Sequence, residues 1–143
     1  MSKNNVAEIV PDKFWEIIGE ARQSPKGFRE ILRNLNREQI IDFYWTYEEL
    51  ANHLRNERYL PYVHPDLSED GLAELANWVV AQGKTYYSSV LDHPDLIPPK
   101  KNDAGLLSEA LDEYEERYNE DIPSNTRTWD NDWKQHGKTS PWA

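Results

Sequence analysis

The sequence predicts an all-α fold, a compact bundle of about six helices with an irregular C-terminal tail. Three observations carry that prediction. Apolar residues recur three and four positions apart in successive windows, the spacing of one helical face. No stretch shows the strict alternation of a half-buried strand. Residues suited to starting and stopping helices stand at the window boundaries. The resulting division is a flexible N-terminus over 1–11, a helical domain over 12–119, and an irregular, Trp-containing tail over 120–143.

The first helix opens at Asp12, read as a capping residue, and aligns Phe14, Ile17, Ile18 and Ala21 on one face. Ser24-Pro25 stops it and starts a second, because Ser caps well and Pro suits the first helical position. Phe28, Ile31, Leu32 and Leu35 form the second stripe. Asn36 followed by Gln39 has the capping-box spacing and opens the strongest helix, expected over about 37–56. Ile40, Phe43, Tyr44, Tyr47, Leu50, Ala51 and Leu54 give it a continuous apolar face, which Ile41 and Trp45 widen. A face that wide suits a central helix packed on two sides.

Pro61 and Pro65 forbid a regular helix through 57–67, which is read as a connector. Ser68 then caps a helix with Glu69 and Asp70 in its first turn and Leu72, Leu75, Ala76, Val79 and Val80 as its stripe. Gly83 is expected to end it with a positive φ in the left-handed conformation. A short helix runs from Lys84 and stops before Pro94. A proline-rich loop covers 93–103, and a last helix over about 104–119 turns Leu107, Ala110, Leu111, Tyr114 and Tyr118 inward.

Composition limits the function classes. Hydrophobic residues make up 38% of the 143, but 6 Trp, 8 Tyr and 3 Phe argue against disorder. Cysteine is absent, which excludes disulfides and thiolate metal sites. The formal charge is -10, which disfavours nucleic acid and anionic membranes as partners. Residues 102–143 carry 10 acids and 4 bases, so the acidity gathers in the last third. No apolar run approaches the roughly 20 residues of a membrane span, and MSKNNVAEIV lacks the apolar region of a secretory signal. The expected location is the cytoplasm.

Residues 67–96, LSEDGLAELANWVVAQGKTYYSSVLDHPDL, resemble a family of bacterial proteins designated domain of unknown function 4240. Its members typically show Ser-Asp-Asp-Gly-Phe, then Trp-Leu-Ile-x-Gln-Gly, then Asp-Pro-Asp. Here Ser68-Glu69-Asp70-Gly71-Leu72, Trp78-Val79-Val80-Ala81-Gln82-Gly83 and His93-Pro94-Asp95 stand in those places. DKFWEIIGEA at 12–21 is similar to the family's first helix, and EALDEYEERYNEDIP at 109–123 to its closing segment. The likeness spans about 12–123. It departs at Tyr62–Leu67, where the family often has an apolar helix ending in Gly-Gly-Cys. The resemblance implies a helical fold and a bacterial source, and implies no reaction.

Several constellations have both a functional and a plainer reading. Glu69 and Asp70 could hold a cation, but acids at a helix start complement its dipole. Glu49 and His53 are four apart on the central helix, yet the di-iron pattern needs Glu-x-x-His on two helices. His-Pro-Asp-Leu occurs at 64–67 and 93–96. It matches a co-chaperone signature, but no basic helix precedes either copy, and proline exits followed by Asp turns explain both. Arg29 and Arg33, with Arg22, Lys26 and Arg37, form a basic cluster suited to salt bridges with the acidic last helix. Trp129, Trp133 and Trp142 stand near Arg127, Lys134 and Lys138, a mixture found at binding hot spots. Trp129 and Trp133 are expected to anchor the tail on the helical body, leaving Trp142 dangling or held by a partner. Trp78, beside the stripe of its helix, is expected to be largely buried.

No nucleophile, base and orienter assemble in the sequence, and no Gly-rich phosphate loop is present. The favoured reading is a non-enzymatic interaction module with no cofactor that binds a protein partner, a basic one matching its charge, as an immunity-type or regulatory protein would. Its candidate binding residues are Glu69, Asp70, Trp78, Trp129, Trp133 and Trp142. The alternative is a hydrolase or metal-dependent enzyme that brings Glu49, Glu69 and Asp70 together with His53 or His64.

Overall fold

A computed structural model describes residues 6–125 and Trp142. Every helical window read from the sequence forms a helix. These are α1 (Asp12–Gln23), α2 (Pro25–Asn34), α3 (Arg37–Asn52), α4 (Glu69–Ala81), α5 (Lys84–Asp92) and α6 (Leu106–Tyr118). Three 3-10 turns, Val6–Glu8, Leu60–Tyr62 and Pro94–Leu96, punctuate them, and the described residues contain no strand. The fold is all-α.

The caps largely follow the sequence. The Ser24 hydroxyl accepts the Gly27 N–H at 2.9 Å, with Pro25 as the first residue of α2. Asn36 and Gln39 exchange both bonds of a capping box at 2.9 Å. The Ser68 hydroxyl accepts the Gly71 N–H at 3.0 Å. At α1 the expectation fails: Pro11 occupies the cap position, and Asp12 lies in the first turn without a capping bond. Its charge still complements the helix dipole there.

α3 stops at Asn52, short of the expected 56. Leu54 and Arg55 bond back to Ala51 and Asn52, three residues away, so the chain tightens. The Asn56 side chain donates to the His53 carbonyl and accepts the Arg58 N–H. Such local side-chain bonds compete with helix propagation. Gly83 has the expected positive φ, 103°, but its ψ of 171° makes it extended rather than left-handed helical. It serves as the cap residue of α5, while α4 closes through three-residue bonds from Gln82 and Gly83 to Val79 and Val80.

The segment expected to be flexible packs from Val6 onward. Val6, Ala7 and Val10 are buried, and the Trp15 indole donates to the Ala7 carbonyl at 3.3 Å. Four apolar residues in five show no helical periodicity, yet the three that turn inward are enough to cover the end of the core.

α3 is central, packed against α4 on one side and α6 on another, with α1 paired to α2. Its core stripe, Ile40, Phe43, Tyr47 and Leu50, is fully buried. Phe43 meets Phe14 of α1 and Phe28 of α2 at ring separations of 5.1 and 6.0 Å. Trp15 joins this cluster to Tyr87 of α5 at 5.9 Å. Two tyrosines reach across helices with their hydroxyls. Tyr47 donates to the Asn77 carbonyl at 2.7 Å, and Tyr87 donates to the Leu50 carbonyl.

Candidate functional site

Two residues of the basic cluster read from the sequence, Arg29 of α2 and Arg37 of α3, pair with acids of α6 and the turn after it. Arg29 pairs with Glu109 at 3.7 Å, and Arg37 with Glu120 at 3.3 Å. Arg117 of α6 bonds Glu113 at 2.8 Å and donates to the Leu32 and Leu35 carbonyls at the end of α2. A cation there answers the negative pole of the helix. An open cleft of about 250 Å³ between α2 and α6 is lined by Arg29, Arg33, Glu109, Asp112, Glu113 and Glu116. The Arg29–Glu109 pair spans it, and Glu113 is held by Arg117, so the cleft marks where α2 packs on α6.

Glu69 and Asp70 are exposed in the first turn of α4, beside the Ser68 cap. Gly71 explains the motif better than a ligand does. A Cβ there would stand 2.8 Å from the Leu67 side chain, so the glycine admits a close approach of the preceding turn. Trp78 is partly buried and packs against the core from the edge of the stripe. It lies one residue, about 100° of helix, from Val79 on the inner stripe. Its ring meets Tyr86 edge-on at 5.7 Å, and Lys101 lies 5.0 Å over its face. Trp129 and Trp133 lie outside the described residues. Trp142 is partly buried against the core, and its indole N–H donates to Asp42 at 2.7 Å. The expectation that it dangles or awaits a partner is corrected: the helical body itself holds it, because a buried carboxylate needs N–H donors.

The residues of the alternative reading go to separate tasks. Glu49 accepts from the Asn125 side chain at 3.2 Å, and His53 ends α3. The His64 ring accepts the Asp66 N–H at 3.1 Å, a local turn bond. Among the described residues, no group of three or more His, Asp or Glu is placed to hold a metal ion.

The surface that sequence reasoning missed lies in the connectors. Leu60 and Tyr62 of the first connector are 50% and 45% exposed, and Leu96 of the second is 49% exposed. Each turn is pinned by one buried side chain, Tyr59 before the first and Ile97 after the second. Pro61 and Pro94 hold the turns in short 3-10 geometry, which leaves their other apolar residues outward. The two connectors meet through a bond from the His64 N–H to the Pro99 carbonyl at 2.9 Å. Burial raises the Tyr59 phenol above its ordinary pKa, opposed by Arg58, and the Asp92 charge at the end of α5 adds to the rise. Exposed acids, Asp66, Glu69, Asp70, Asp92 and Asp95, lie on the same segments or at the adjoining helix ends. The signal available in the sequence was the pair of proline turns carrying Leu and Tyr, which read only as connectors.

No helix among the described residues is long and apolar enough to cross a membrane. A family model described as Protein of unknown function (DUF4240) matches residues 10–124. No curated protein and no solved structure matches the chain.

Proposed function

The chain belongs to the DUF4240 family, and from that premise we propose that it is a non-enzymatic helical interaction module of a bacterial cytoplasm. It binds a basic protein partner at the end of the bundle formed by the two proline connectors. The observation that carries this reading is the exposure of Leu60, Tyr62 and Leu96 on two turns joined by the His64–Pro99 bond. Large apolar side chains held outward on anchored turns supply the contact area of an interface without a large ordering cost. The neighbouring acids and the net charge of -10 favour a cationic partner and speed its approach. An immunity-type protein that neutralises a basic toxin has these requirements.

The test is affinity capture from an extract of the source organism, with wild type beside a Leu60→Asp/Tyr62→Asp/Leu96→Asp variant. A stoichiometric basic partner, retained by wild type and lost by the variant, supports the reading. Recovery of no partner, or equal recovery by both proteins, overturns it. Binding should also weaken as salt rises, since exposed charges are screened over about 8 Å at physiological ionic strength.

A further inference from the structure

Asp42 is the one charged side chain that is nearly fully buried among the described residues, at 6% exposure. A carboxylate in such a place must be hydrogen-bonded to be tolerated. One of its oxygens accepts the Trp142 indole N–H at 2.7 Å, from a residue 100 positions away in the chain. The indole suits the task chemically: it offers one N–H donor, no acceptor, and a large apolar body. That body packs against the core beside the carboxylate.

The contact belongs to a row. Asp42, Trp45 and Glu49 are spaced i, i+3, i+7 and share one face of α3. Trp45 donates its indole N–H to the Pro123 carbonyl at 2.8 Å, and Glu49 accepts from Asn125 at 3.2 Å. Between Pro123 and Asn125 the chain advances two residues, roughly 7 Å when extended. Trp45 to Glu49 is four residues of helix, about 6 Å. The segment therefore follows α3 from Trp45 toward Glu49, and Trp142 seats one turn before it.

We propose that this face of α3 is a receptor for an extended, tryptophan-bearing peptide. Its Asp42 end recognises the indole N–H, and Trp142 fills that end in cis. The site lies on α3, apart from the connector turns, and stands or falls independently of them. Sixteen residues lie between Asn125 and Trp142. Trp142 is covalently part of the chain and so is always presented to the site, and a free peptide competes poorly while it is in place.

The test uses the full chain carrying Trp142→Ala and the synthetic peptide Lys-Thr-Ser-Pro-Trp-Ala, which copies residues 138–143. Binding is followed by backbone amide shifts of α3. The variant should bind the peptide saturably, at least about tenfold more tightly than wild type, whose site is filled. The same peptide with Phe in place of Trp should bind several-fold more weakly, because it has no N–H for Asp42. If Trp142→Ala loses its fold by circular dichroism, Trp142→Phe keeps a ring in place and is read the same way. Absence of saturable binding at millimolar peptide overturns the proposal, as does equal binding of the Trp and Phe peptides. The Leu60/Tyr62/Leu96 variant should bind neither better nor worse than wild type, so the two readings fail separately.

Discussion

The inner face of α3 and the two proline turns are built from the same residue types and meet opposite fates. Tyr47 and Leu50 are completely buried, whereas Tyr62 and Leu60 are about half exposed. Residue chemistry alone does not separate them. Tyr47 and Leu50 lie on a stripe that recurs every three or four residues over four turns, so their burial is shared with neighbours above and below. Leu60 and Tyr62 stand on a single 3-10 turn that can send one side chain inward, and Tyr59 takes that place. The difference teaches that length of periodic support, rather than hydrophobicity, decides what a helical protein can bury.

Truncation at the centre of the stripe should have the largest effect. Phe43 is fully buried between Phe14 and Phe28. Phe43→Ala should cost about 3–5 kcal/mol, the sum of lost transfer free energy and a residual cavity. Urea unfolding monitored by circular dichroism measures it. A loss near 1 kcal/mol would mean that the aromatic cluster collapses around the gap, and the contrast with the turns would shrink accordingly.

The same contrast marks how far the sequence could be read. Helix number, type and most caps were legible because they rest on local rules: Ser24, Asn36 and Ser68 cap as their spacing requires, and the α3 stripe is buried as its period requires. Trp78 shows the limit of the stripe argument. A residue 100° from the inner line falls at the edge, and Lys101, 23 positions on in sequence, decides how its outer face is covered. Val6–Val10 pack without any periodic signal, because a turn that closes off a core needs only a few apolar atoms. The Asp42–Trp142 bond spans 100 positions, and no local pattern announces a partner that distant. The exposed turns were invisible for a different reason: exposure is a property of what packs nearby, and the sequence shows only the residue.

A backbone position gives the next largest effect. Gly83 stands at φ 103° and ψ 171°, a region essentially reserved for glycine. A Cβ there would meet only the Arg22 guanidinium at an ordinary 3.7 Å, so any penalty comes from backbone strain rather than a clash. Gly83→Ala should therefore destabilise by about 1–3 kcal/mol. A change within about 0.3 kcal/mol would show that the α4–α5 junction relaxes into another conformation.

Removing a single buried hydroxyl sharpens the view of the stripe. Tyr47→Phe leaves the Asn77 carbonyl without the 2.7 Å bond it receives and should cost about 1 kcal/mol near neutral pH. The phenols of Tyr47 and Tyr87 are pushed well above their ordinary pKa, chiefly by burial, with the Asp103 charge adding at Tyr47. Above about pH 10 the unfolded chain releases these protons while the folded chain keeps them. The folded state then binds more protons, so stability falls as pH rises through that range. Tyr47→Phe should lose less stability than wild type between about pH 8 and about pH 11, because one of the phenols held above its ordinary pKa is gone. Parallel alkaline slopes for the two proteins would contradict the assignment.

The smallest effect belongs to the turns, and its smallness is the point. Leu60→Ser, Tyr62→Ser and Leu96→Ser each remove apolar surface that folding leaves about half in water. None deletes a buried hydrogen bond: the His64–Pro99 link uses backbone atoms, and Tyr59 and Ile97 stay in place as anchors. Each substitution should shift stability by no more than about 0.5 kcal/mol, the usual range for surface changes. Polar residues should also leave the 3-10 turns intact, since Pro61 and Pro94 fix their geometry. Urea midpoints of the three single variants decide the matter. Losses of 2 kcal/mol or more, about the cost of a core truncation, would mean that these side chains hold the connectors together, and the surface would no longer be available to a partner. Unchanged midpoints combined with lost partner capture would separate recognition from folding, with the α3 stripe carrying the stability and the turns carrying the contact.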